Sequence, residues 1–227
     1  MSDDEPRFVP EPIAQIMPSR EERRSSQNKK RGGPKKPRPV TEQYLKNVAV
    51  WYVGRYMPCT GQLRRALMKR VRRGINEHGG DMDEALAWVE VIIARQVEIG
   101  TVNDAEYARA WANSYHRRGV ALRDIRYRLR GKSLSASIVD AAMRELEESF
   151  EGDPDLAAAC AYVRRRRFGP FRHLPEQRAA RAQKDLAAMM RAGHRYTHIK
   201  RVLACEDLDA FDRLKAEADG TGEPEIF

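Results

Sequence analysis

The sequence predicts an all-α protein built as an elongated, curved array of three tandem three-helix units. Three observations lead there. Apolar residues recur at three- and four-residue spacing through the middle of the chain, the period of one helical face. Capping residues and glycines punctuate those stretches at short intervals. The pattern also repeats: Leu129 and Ile138 stand nine residues apart across a glycine-containing turn, and so do Met190 and Ile199. Units stacked in series bury a core between neighbours and leave a long outer surface.

Residues 1–40, rich in Pro, Ser, Lys and Arg, read as a disordered basic N-terminal tail. Its runs Lys29-Lys30-Arg31 and Lys35-Lys36-Pro37-Arg38 serve either as a solubilising extension or for weak, non-specific phosphate contact. The first unit spans 41–102. Its opening helix has Leu45, Val48, Ala49, Tyr52 and Tyr56 on one face and ends at Pro58. Thr60 starts a second helix with the stripe Leu63, Leu67 and Val71. After His78-Gly79-Gly80, Asp81 or Asp83 opens a third helix that is apolar almost all round, which predicts a central position.

The second unit spans 103–150. Asn103 caps a helix that buries Tyr107, Ala108, Trp111 and Tyr115, and Glu106 reaches back to the cap. Gly119 ends it, and a helix burying Leu122, Ile125 and Leu129 follows. Ser135 starts the next, with Ile138, Ala142, Met143 and Leu146. The third unit spans 153–211. It holds the stripe Leu156, Cys160 and Val163, a break at Gly169-Pro170-Phe171, a helix from about Glu176, and a last helix with Ile199, Val202 and Leu203. Residues 212–227 read as a frayed tail. Trp88, Ile92, Trp111 and Leu129 are expected to be largely buried.

The chain has 42 Lys and Arg against 33 Asp and Glu, and a net charge of +9 points to a polyanionic partner. The positive charge is concentrated on faces. Arg65, Lys69, Arg72 and Arg73 share one helix, and Arg123, Arg126 and Arg130 share its counterpart in the next unit. Arg117 and Arg118 precede Gly119, and Arg164 and Arg165 open a basic run in the third unit. One sign at related positions of a repeat predicts a continuous electropositive groove, so these residues form the candidate partner-binding surface.

Catalytic chemistry has no comparable support. His194 and His198 are four apart, but the break at Gly193 puts His194 outside the helix, and no third metal ligand follows by spacing. His78, His116 and His173 read as surface residues. Asp104 and Glu106 are explained by the dipole of their own helix rather than by acid–base work. Cys59, Cys160 and Cys205 are odd in number and far apart, which excludes a disulfide framework and suits a reducing cytoplasm. No apolar run reaches membrane-spanning length, and the first 25 residues contain no secretory h-region. The expectation is a cytoplasmic monomer, not an enzyme, needing no metal or cofactor.

The run Gly100-x-x-Asn103-Asp104-x-x-Tyr107-Ala108-x-x-Trp111, then Arg117-Arg118-Gly119, then Ile125-x-x-x-Leu129-Arg130, resembles the RecX family of bacterial recombination regulators. The resemblance covers roughly residues 41–211. One departure is visible: the family usually has Lys-Gly after the second helix, where Gly131-Lys132-Ser133 stands here. The resemblance implies tandem three-helix units and a negative modulator of the recombinase RecA. Such a protein binds the RecA nucleoprotein filament, in its groove or at its growing end, and restrains filament extension, strand exchange and ATP turnover. The alternative is a direct DNA-binding regulator with a helix-turn-helix pair at 104–117 and 121–130. Arg123 is then its only candidate for reading base edges.

Overall fold

The computed structural model describes residues 37–221 apart from Pro175, and the body of the fold begins at Pro39. The expected basic tail up to residue 36, and residues 222–227, lie outside the described residues. Among the described residues there are ten α-helices, one short 3-10 turn and no strand.

The first three helices are α1 (Glu42–Tyr56), α2 (Thr60–His78) and α3 (Met82–Glu98). Thr41 caps α1 by accepting the Tyr44 amide, and Asp81 caps α3 by accepting those of Asp83 and Glu84. Their core joins Leu45, Ala49, Leu63, Leu67, Val71, Val89 and Ile92, with Trp88 half-buried at its edge. Contrary to the sequence expectation, α3 is not central. Val91 is 60% exposed, and Val97 and Ile99 also face solvent. In a three-helix unit each helix has only two partners, so an all-round apolar helix leaves one face uncovered.

The middle helices are α4 (Asp104–Arg117), α5 (Leu122–Arg130) and α6 (Ala136–Glu148), closed around Tyr107, Ala108, Ile125, Leu129, Val139 and Met143. Trp111 and Tyr115 are half-buried rather than fully so. They continue a tilted stack from Tyr107, with ring centroids 5.9 and 5.2 Å apart.

The third group is α7 (Pro154–Arg166), a 3-10 turn (Gly169–Phe171), α8 (Gln177–Arg191), α9 (Tyr196–Leu203) and α10 (Leu208–Asp219). The expected frayed tail is therefore corrected over residues 212–219, which form most of α10. Asp207 caps that helix by accepting the Ala210 amide at 2.7 Å. Phe211 and Ala218 are fully buried, with Leu214 packed beside them on the same face. One short apolar stripe on a charged helix is enough when a preformed core receives it.

Successive groups are tied by cross-unit caps. α2 begins behind Cys59 and α5 behind Ala121, neither a good N-cap residue. The missing acceptor comes from the helix that opens the next group. Asp104 accepts the Thr60 amide at 2.7 Å and the Thr60 hydroxyl at 2.6 Å. Asp155 accepts the Leu122 amide at 3.3 Å. Close packing sits beside each cap. A Cβ on Gly61 would lie 2.7 Å from the Ser133 Cβ. One on Gly119, at φ +71°, would lie 2.3 Å from the Tyr162 amide nitrogen. Only glycine lets α4 end against α7 at that distance.

Candidate partner-binding surface

The eleven predicted basic residues fall into three places with different electrostatics. The first is the outer side of α2, where Arg64, Arg65, Met68, Lys69, Arg72 and Arg73 line a shallow concavity. Arg64 pairs with Glu90. Arg65 donates to Ser133 Oγ at 2.7 Å, which ties this face to the turn after α5. Lys69, Arg72 and Arg73 are exposed and have no acidic partner among the described residues.

The second place is α5, whose arginines are largely committed within their own unit. Arg126 bridges Asp140 at 2.8 Å and Glu147 at 3.5 Å, and Arg130 stands 3.8 Å from Asp140. Arg123 is the most exposed of the three, its side chain 80% exposed and 3.8 Å from its neighbour Asp124. The cleft it borders also holds Glu147, Asp153 and Asp155, so its electrostatics are mixed. The amino end of α5 is docked on Asp155, which leaves little of it for a DNA groove.

The third place unites residues that sequence reading treated separately. Arg117 and Arg118, at the end of α4, line one cavity with Arg164 and Arg165, from the last turn of α7. Lys215 of α10 completes the ring, a residue missed because its segment was expected to fray. Cys160, Ala161 and Phe211 also line it. Burial pushes the Cys160 thiol up to about 12, so the sulfur stays protonated and neutral there.

The histidines also need correction. His78 and His173 are exposed, but His116 is buried, its Nε2 2.8 Å from the Pro154 carbonyl oxygen and its ring edge-on to Phe150. His194 precedes α9, as expected, and is buried against Tyr162. Desolvation brings its pKa down to about 4, against the opposing pull of Asp155 and Asp124. His198 Nε2 lies 3.2 Å from Asp153. These three rings pack the junction between the second and third groups. Among the described residues no cluster of three or more His, Cys, Asp or Glu is placed to hold a metal ion. None of the described helices is long and apolar enough to cross a membrane.

Residues 103–143 match the family model for the second three-helix domain of RecX. The chain is 39% identical over 183 residues to the regulatory protein RecX of Myxococcus xanthus, covering 81% of this chain and 96% of that one. It is 27% identical over 172 residues to the regulatory protein RecX of Agrobacterium fabrum, covering 75% and 88%. The regulatory protein RecX of Streptomyces coelicolor is 33% identical over 104 residues, 41% of this chain and 55% of that one. No solved structure matches.

Proposed function

The chain belongs to the RecX family of regulatory proteins, and from that premise we propose that it is a negative modulator of RecA. It binds the RecA nucleoprotein filament and restrains filament extension, strand exchange and ATP turnover, acting as a monomer in the cytoplasm and hydrolysing nothing itself. The observation that carries the reading is the 39% identity that spans 96% of a regulatory protein RecX. The exposed cations of α2 and of the cavity between α4 and α7 support it, because a nucleoprotein filament presents phosphates. The docking of the α5 amino end on Asp155 weighs against the helix-turn-helix alternative.

The test is the DNA-dependent ATPase of RecA with this protein added. Turnover should fall as the protein is titrated in, and less steeply at high salt. Unchanged turnover, together with sequence-specific DNA binding in the absence of RecA, would favour the alternative.

A further inference from the structure

We propose that the cavity between α4, α7 and α10 is a phosphate clamp that grips consecutive phosphates of a nucleic-acid strand. The inference deepens the reading above, assigning this cavity to the phosphate part of a nucleoprotein partner rather than to its protein. The cavity has a volume of about 390 Å³, and five of its lining residues are cationic: Arg117, Arg118, Arg164, Arg165 and Lys215. None of the lining residues is acidic.

Three of the five are held in place, two by carboxylates at the rim and one by an aromatic ring. Arg164 stands 3.3 Å from Asp212, and its guanidinium lies over the rings of Phe171 and Phe211, at 5.6 and 5.7 Å. Lys215 pairs with Asp219 one helical turn on. Arg165 is stacked on Tyr162 at 5.8 Å. Stacking occupies a guanidinium's flat face and leaves its N–H edge for an anion. Forks positioned in advance lose less conformational freedom when they bind.

The charge balance selects the ligand. Arg117, Arg118 and Arg165 have no acidic partner among the described residues, so three positive charges stand unopposed. The carboxyl ends of α4 and α7 lie here too, each contributing roughly half a negative charge. About two positive charges remain. One side-chain carboxylate cannot balance that within a single cavity, whereas two neighbouring phosphodiesters can. Arginine forks also match phosphate oxygens in bidentate geometry.

The experiment is binding of the full chain to labelled oligo(dT), without RecA, across a range of salt concentrations. Arg117→Gln/Arg165→Gln should bind more weakly, and its plot of log affinity against log salt should be shallower by about 1.4, the value for two single-strand phosphates. Arg118→Gln, which removes the third unopposed charge, should lower the slope by about 0.7, and it decides the matter if the double variant folds poorly. Pyrophosphate is the second probe. Competition only at concentrations that act by ionic strength supports a strand as the source, and competition well below that supports a small phosphate ligand. An unchanged salt slope in both variants would overturn the clamp. So would a polyglutamate of matched charge that displaces oligo(dT) as well as unlabelled oligo(dT) does. RecA inhibition is scored separately, so the clamp can fail while the regulatory reading stands.

Discussion

The two junctions of this chain solve one problem with different chemistry. Each places an aspartate from the first turn of a later helix on the bare amino end of an earlier one, and each lets a glycine bring backbones together. The α2–α4 junction is tight and mostly apolar: Asp104 makes two hydrogen bonds under 3 Å, and Cys59 is buried in the middle core. The α5–α7 junction brings backbones at least as close but is more polar. Asp155 makes one longer hydrogen bond, is shared with Arg195 at 3.2 Å, and has buried histidines around it. One repeat device therefore yields a fixed joint and a titratable one. The cationic cavity lies beside the titratable joint.

The largest expected effect is at Gly119. Gly119→Ala forces a Cβ into the Tyr162 backbone at positive φ and should cost about 3 kcal/mol, from strain plus overpacking. Calorimetry should show the third group melting separately from the first two. A single, unshifted transition would mean that the α4–α7 contact is not a support of the fold.

Acid should separate the joints next. With its pKa lowered to about 4, His194 is kept neutral in the folded state, while the unfolded chain takes up the proton near the ordinary value. Its contribution is thus complete above pH 6.5 and is lost as pH falls from about 6.5 towards 4. The loss should reach about 3 kcal/mol. Denaturant midpoints from pH 7 to pH 4.5 should fall for the native chain and less for His194→Gln. Equal slopes would remove His194 from the account.

The caps give a smaller contrast. Asp104→Ala should cost about 2 kcal/mol and Asp155→Ala about 1 kcal/mol, following the number and length of the hydrogen bonds lost. A Thr60→Ala/Asp104→Ala double-mutant cycle should show coupling of about 1 kcal/mol. No coupling would mean that the first joint is held by apolar packing alone.

The smallest effect should be a gain. Ser133 stands at φ +66°, where a glycine would be unstrained. Ser133→Gly should stabilise the chain by about 1 kcal/mol despite losing the exposed contact with Arg65. A fall in melting temperature would show that the Arg65 hydrogen bond outweighs the strain.

Local features were the most legible in the sequence. Leu63, Leu67 and Val71 lie fully buried at the spacing that predicted them, and Asn103 and Ser135 cap where expected. Partners distant in sequence leave no periodic trace. Asp104 looked like a carboxylate serving its own helix, yet its hydrogen bonds go 44 residues upstream. Arg126 looked like a free surface charge, but Asp140, fourteen residues on, turns it inward. His116 was expected in solvent because it stands next to arginines at a break; the start of the third group covers it. The cationic cavity was half legible: the signs of Arg117, Arg118, Arg164 and Arg165 were plain, their convergence was not. Lys215 was hidden because α10 carries too few apolar residues to announce itself.

The most direct measurement compares two charge changes in the RecA ATPase assay, with melting temperature followed in parallel. Arg117→Gln/Arg165→Gln removes unpaired charge from the cavity and should relieve inhibition while leaving the melting temperature within a degree or so. Arg126→Gln removes a charge already engaged by Asp140 and Glu147. It should lower stability by up to about 1 kcal/mol and leave inhibition close to that of the native chain. If the double variant inhibits RecA as well as the native chain does and Arg126→Gln does not, the binding surface lies on α5 and the account is contradicted.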